Sequence, residues 1–245
     1  MSGTAWEVSG ELWHINHLPV VRIPTNRPNR RDQWPDRYFV TAEQKWAAVV
    51  AEIQRLHTGG RPVLVGTRSV AASEQLAAKL SGQQIPFALL NALQDSEEAR
   101  IIAEAGHPGR VTIATNMAGR GTDIRLEGGV AEAGGLHVIA TERHDSPRVD
   151  RQLFGRAGRQ GDPGSAQAFV SMDDELLVRH TPAVLRRVVR TALTRGFPGA
   201  EKMAGKAVKI AQSTAEHMAR RARANVLRMD TWLDEAVGFS GRRVG

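Results

Sequence analysis

Arg156 and Arg159 stand three residues apart in the run Gln152-Leu153-Phe154-Gly155-Arg156-Ala157-Gly158-Arg159-Gln160-Gly161-Asp162-Pro163-Gly164. If the segment is helical, that spacing puts both guanidiniums on one face, with small residues between them. Two guanidiniums aimed one way clamp a phosphoryl group bidentately. An arginine supplied to a transferring phosphate is worth roughly 10³ to 10⁵ in rate, whereas an exposed ion pair contributes about 0 to 1 kcal/mol. A solvated basic helix end is the plainer account of one such pair, and a second cluster upstream weighs against it.

That cluster is Asn116-Met117-Ala118-Gly119-Arg120-Gly121-Thr122-Asp123, which follows the apolar, β-branched run Val111–Thr115. The loop should emerge from the carboxyl end of a buried strand, the edge at which open α/β sheets bind ligands. Gly119 and Gly121 let the backbone approach a ligand closely; Arg120 offers a fixed cation for phosphate, and Asp123 an acceptor suited to a ribose hydroxyl. A lone Gly-Arg-Gly is a surface turn in most chains. Together the clusters describe chemistry for an anion.

The elements that position them alternate between strand and helix. Thr41-Ala42-Glu43-Gln44 is a capping box, followed by Trp46, Val49, Val50, Ile53 and Leu56 at helical spacing, with Trp46 as a core anchor; Gly59-Gly60 ends the helix. Strands are expected at 62–66, 85–90, 111–115, 136–140 and 166–171, with helices after Thr67-Arg68-Ser69 and after the capping box Asp95-Ser96-Glu97-Glu98. Such alternation predicts an α/β fold, a parallel sheet with helices on both faces. Residues 1–40, interrupted by Pro19, Pro24, Pro28 and Pro35, read as a linker and lead-in. Within it Leu18–Ile23 is a candidate strand, and the three arginines of 26–32 could contact a partner but are expected rather to face water. Residues 41–181 form the α/β domain. Residues 182–245 form a basic helical segment, whose stripe of Ala211, Ala215, Met218, Ala222, Val226, Met229 and Leu233 suits lengthwise packing against other helices.

Composition narrows the function classes. The chain has 245 residues, 41% of them hydrophobic, enough for one domain with an appendage. It has no cysteine, which rules out disulfides and cysteine zinc sites within it. No apolar run is long enough for a membrane span. The net charge of +7 sits in the appendage, because 182–245 carries 13 Lys and Arg against 5 Asp and Glu while the rest is nearly balanced. A basic helix favours acidic lipid, nucleic acid or an acidic partner domain.

The motifs at 116–123 and 152–164, with Gly134-Gly135-Leu136-His137-Val138-Ile139 and Thr141-Glu142-Arg143-His144, resemble the second RecA-like domain of SecA, the ATP-driven motor of bacterial protein export. Leu90-Asn91-Ala92 also matches the family, although the basic pattern that usually follows it is replaced by Leu93-Gln94-Asp95-Ser96. Met1–Ala5 is similar to the end of the motif closing the family's first nucleotide-binding domain, 18–28 to the lead-in of the second, and Ala222–Glu235, more weakly, to the helical scaffold.

The resemblance implies a RecA-like fold of helicase C-terminal type, ATP with Mg as cofactor, and Arg156 and Arg159 as arginine fingers. It places Asp162 at a nucleotide-binding position beside Asp123, Gly119, Arg120 and Gly121. It also implies, as partners, a first nucleotide-binding domain, a translocation channel and preprotein. The chain is then expected in the cytoplasm or peripherally on the inner face of the cell membrane, where an acidic lipid surface is a further partner; nucleic acid is not an expected one. Ala168–Glu175, an apolar run ending in acids, imitates a magnesium-binding strand end, but by the resemblance those acids begin a helix, and no metal ligand is assigned. No Gly-x-x-x-x-Gly-Lys-Ser/Thr loop is present, since Gly205-Lys206 is followed by Ala207. Without that cradle the chain alone should not hydrolyse ATP. Two alternatives stand beside this half-motor: half of a superfamily 2 nucleic-acid helicase, and a non-enzymatic module that binds a partner.

Overall fold

The computed structural model describes residues 5–90, 95–115 and 123–240. Its centre is a parallel sheet of β1 (Arg30–Gln33), β2 (Arg37–Phe39), β3 (Val63–Thr67), β4 (Ala88–Leu90), β5 (Val111–Thr115), β6 (Leu136–Ala140) and β7 (Pro163–Ser171), in the order β1-β7-β6-β3-β5-β4, with β2 also pairing on β7. Around it lie α1 (Ser9–Asn16), α2 (Ala42–Thr58), α3 (Val70–Gly82), α4 (Asp95–Glu104), α5 (Pro147–Phe154), α6 (Glu175–His180), α7 (Ala183–Thr194) and α8 (Ala200–Ser240).

Side chains alternate across each strand, so neighbouring residues feed different cores. Val63, Val65, Ile113 and Ile139 pack under α2 and α3. Leu64, Val138 and Ala140 face the other way, towards Phe154 of α5, Leu176 and Leu177 of α6 and the first turns of α8. Helices therefore cover both faces of a sheet made of continuous apolar strands, as a parallel sheet requires.

The capping box at Thr41 forms: its hydroxyl accepts from the Gln44 amide at 3.3 Å, and the Gln44 side chain accepts from the Thr41 amide at 3.4 Å. Trp46, Val49, Val50, Ile53 and Leu56 are all buried. Each such aliphatic side chain contributes roughly 1.5–3 kcal/mol of burial free energy. Lys45 is buried as well, its ammonium 2.6 Å from Asp174 at the start of α6 and 3.7 Å from Glu142.

The lead-in differs from the sequence reading. Leu18–Ile23 carries no strand, and Leu18, Val21 and Ile23 are exposed. The strands of this segment are the polar β1 and β2, which run along β7 with a break at Trp34-Pro35-Asp36. Pro35 has no amide to give to a ladder, and the break is bridged by Trp34 N donating to Ala166 O at 2.9 Å and by the Gln167 side chain donating to Pro35 O at 2.7 Å. The stripe on α8 divides: Ala211 and Ala215 are buried against the sheet domain, whereas Met218, Val226 and Met229 are exposed.

Candidate functional site

α5 begins with Ser146, whose hydroxyl accepts from Arg148 N at 3.3 Å, and with Pro147 at the first helical position, where its missing amide costs nothing. It lies close over β3 because Gly66 has no side chain; a methyl there would run into Leu153. The helix stops at Phe154, where Gly155 N donates to Arg151 O at 2.8 Å. Arg156 and Arg159 therefore do not share a helical face as their spacing suggested. They lie in the turn beyond, which reverses through φ +68° at Gly158, +52° at Gln160 and +86° at Gly161.

The turn is held from several sides. Arg159 donates through Nε to Gly155 O at 2.9 Å and pairs with Asp123 Oδ1 at 3.1 Å, while the Gln160 side chain donates to Asp123 Oδ2 at 2.6 Å. Burial alone would raise the Asp123 pKa, but the hydrogen bonds from Arg159 and Gln160 prevail and hold it below the usual carboxylate range. On the outer side, Arg27 donates to Gln160 O at 2.9 Å, and Arg31 lies so close to Gly158 that a β-carbon there would sit 2.7 Å from the Arg31 Cβ. Gln160, a residue with a side chain in left-handed conformation, is thus fixed through both its carbonyl and its amide.

These residues line a cleft of about 1000 Å³ that runs across one face of the sheet, from Leu90, Ala114 and Thr115 at the carboxyl ends of β4 and β5 to the arginine turn, which packs beside the amino ends of β1 and β7. Asp123, Arg156 and Arg159 meet there, joined by Arg151, Arg27 and Arg31. Five arginines around one carboxylate give the cleft donors of the kind an anion needs, with Asp123 as an acceptor. Asp162 is not among the lining residues; its backbone amide donates to Arg159 O at 2.9 Å, so its contribution here is to close the turn. Gly119, Arg120 and Gly121 lie outside the described residues. Arg27 and Arg30 are exposed, as the reading of 26–32 expects, and Arg31 is half-buried; that Arg27 and Arg31 also line the cleft is new with the structure. Nothing in 26–32 gives a periodic signal, and only three-dimensional pairing of β1 with β7 brings them there.

Behind α5 lies a buried polar junction. Asp150, 2% exposed, accepts through Oδ1 from His144 N at 3.0 Å and faces His144 Nδ1 at 2.6 Å; through Oδ2 it accepts from Arg143 at 3.2 Å and from Gln212 of α8 at 2.8 Å. Gln212 also donates to His144 O at 2.9 Å, and Arg143 reaches Asp36 in the lead-in at 2.7 Å. Burial alone would raise the Asp150 pKa, and the His144 hydrogen bonds together with Arg143 turn the shift downward. The acids of the 168–175 run are engaged with protein: Asp173 accepts from Ala42 N at 3.2 Å and pairs with Arg190 at 2.9 Å, and Asp174, at the N-cap position of α6 without a side-chain cap bond, accepts from Ser171 N at 2.8 Å and meets Lys45.

A parallel sheet in this order, covered by helices on both faces, with an arginine turn and an aspartate lining one cleft, defines a RecA-like domain of helicase C-terminal type. The DEAD-box splicing factor Prp28 from yeast has the same fold, with a TM-score of 0.50 at 16% identity over 78% of this chain and 39% of that one, a likeness of fold alone. A family model described as the SecA P-loop domain matches residues 28–130 and 127–195, and the chain belongs to the SecA family. It is 49% identical over 98% of its length to protein translocase subunit SecA 2 of Chlorobium chlorochromatii (strain CaD3), and 48% identical over 99% to that of Bordetella avium (strain 197N). The chain spans 37% of the length of each of these relatives. Among the described residues no helix is long and apolar enough to cross a membrane.

Proposed function

We propose that the chain is the second nucleotide-binding half of a SecA-type motor, completing an ATP site whose phosphate cradle and Mg belong to a first domain outside this sequence. The observation that carries this is the convergence of Arg156, Arg159 and Asp123 on one cleft across a face of the sheet, which reaches the carboxyl ends of β4 and β5. The donor set fits a nucleotide: guanidiniums for phosphate oxygens, and a carboxylate held ionised for a hydroxyl. Bound ATP supplies the phosphoryl group and the energy of its transfer. Arg156 and Arg159 neutralise charge on that group, the Asp123 carboxylate orients the ribose, and the turn from Gly155 to Gly161 fixes all three before the ligand arrives. Asp162, Gly119, Arg120 and Gly121 are further proposed nucleotide contacts.

In this reading residues 41–181 are the motor half, 1–40 the strap that links it to the first domain, and 182–245 the lever that carries its motion to preprotein. The relatives are named translocase subunits, which supports preprotein and a translocation channel as partners. A peripheral place on the inner face of the cell membrane, on acidic lipid, is part of the same proposal and draws on the basic appendage.

The test is ATP hydrolysis by the chain alone and mixed with a separately produced SecA first nucleotide-binding domain. Turnover well above the sum of the parts, lost by roughly 10³-fold or more in Arg156→Ala or Arg159→Ala, is the expected result. A folded chain that adds nothing to the first domain refutes the half-motor.

A further inference from the structure

We propose that Gln212 is a positioning residue through which α8 sets the place of the arginine turn, an inference that rests on the half-motor reading above. The site is the buried junction behind α5. Asp150 sits one helical turn before Phe154, where α5 ends and the arginine turn begins, and a helix this short transmits displacement as a rigid body. Gln212 donates to Asp150 Oδ2 at 2.8 Å, closer than Arg143 at 3.2 Å. The same amide donates to His144 O at 2.9 Å, so one side chain of α8 grips both α5 and the loop before it.

A second tie lies one turn further along the same face of α8, where Glu216 accepts from Ser146, the N-cap of α5, at 2.8 Å. Around these ties α8 passes from the core to the surface: Ala207, Val208, Ala211 and Ala215 are buried, whereas Met218, Val226 and Met229 are exposed. A helix held at the point where it departs acts on its anchorage as a lever acts on a fulcrum. Rotation of the outer part of α8 therefore bears on Ser146 and Asp150, and through α5 on Arg156 and Arg159. Apolar packing alone would hold α8 in place; it would not require a buried glutamine to satisfy a carboxylate and a carbonyl on the arginine-bearing element.

Gln212→Leu keeps the volume and removes the donor. In the chain by itself, hydrogen exchange of the Gly155–Gly161 amides is expected to quicken roughly tenfold or more, the size of losing a hydrogen bond to a charged group, while β3 and β5 keep their rates. Mixed with the first nucleotide-binding domain, the variant should lose roughly 10- to 100-fold in kcat at unchanged KM, the effect of a displacement on the order of 1 Å. Unchanged exchange in the turn of a folded variant, or a loss confined to KM, overturns the proposal. If even the unaltered chain gives no turnover on mixing, the half-motor reading fails and the exchange result alone decides this one. If Gln212→Leu does not fold, Glu216→Ala at its half-exposed position replaces it: several-fold faster exchange in the turn is expected, and unchanged exchange overturns the proposal.

Discussion

His137 makes this fold sensitive to acid in a way that can be worked out and measured. It is fully buried in β6, with Nδ1 2.6 Å from Ser165 Oγ and its ring centroid 4.6 Å from that of Trp34. Burial, reinforced by the charges of Arg61 and Arg55, pushes its pKa down from 6.5 to about 3. The folded chain therefore holds the neutral ring, and the unfolded chain takes up the proton first. Stability from this site is fully present above pH 6.5 and is lost as pH falls towards about 3. Between pH 7 and pH 5 the loss amounts to about 2 kcal/mol, or a urea midpoint shift on the order of 1 M.

Asp174 works in the opposite sense. Burial pushes its pKa up to about 7, with Lys45 opposing and Glu142 adding, so its contribution is present at low pH and falls as pH rises towards 7. The two slopes offset one another in the raw profile, and the perturbation must isolate one of them. His137→Asn keeps a polar group beside Ser165 and removes the titration. Urea unfolding of both chains at pH 7, 6 and 5 should show the stability gap between them narrowing by about 2 kcal/mol towards pH 5. Parallel curves would mean that the folded state accepts the proton, and would refute the reasoning.

Three further outcomes are expected. Lys45→Met leaves Asp174 buried without its cation and should cost about 3–5 kcal/mol in denaturant unfolding, most of it recovered in Lys45→Met/Asp174→Asn. Thr41→Ala removes one arm of the capping box of α2 and should cost about 1 kcal/mol, seen as a Tm lower by about 2–4 °C. Gly66→Val drives methyl groups into Leu153; a destabilisation of about 1–3 kcal/mol is expected, with lower turnover in the mixed ATPase assay because α5 must shift.

What was legible in the sequence is what local chemistry determines. Thr41 and Gln44 announce the start of α2 by themselves, and runs such as Val111–Thr115 can only be buried strands. The arginine pair was found by residue type, but its geometry was misread. Spacing of three suggested a helix, whereas Gly155 and Gly158 were the stop signals, and a turn brings the side chains to the cleft. Three other features were closed to inspection because their cause lies far along the chain. Arg-Arg-Asp-Gln at 30–33 has no strand pattern, and only main-chain pairing with β7 makes it one. Lys45 looks like a solvated helix residue until Asp174, 129 positions away, meets it in the core. Gln212 sits in a stripe of alanines, and nothing nearby shows that Asp150 is its partner.

The polar, broken strand formed by β1 and β2 has a consequence for how the molecule keeps to itself. β7 is buried along nearly its whole length, and among the described residues it is this segment that pairs along one of its sides. An uncovered parallel strand of that kind is a template for further chains to add to, and proteins blunt such edges with charge and proline. Arg30, Arg31, Asp32, Pro35 and Arg37 supply both, ending the ladder in residues a neighbouring molecule cannot extend. Trimming the chain to begin at Thr41 would strip this cover, and the product would be expected to aggregate through β7 rather than stay a dispersed domain.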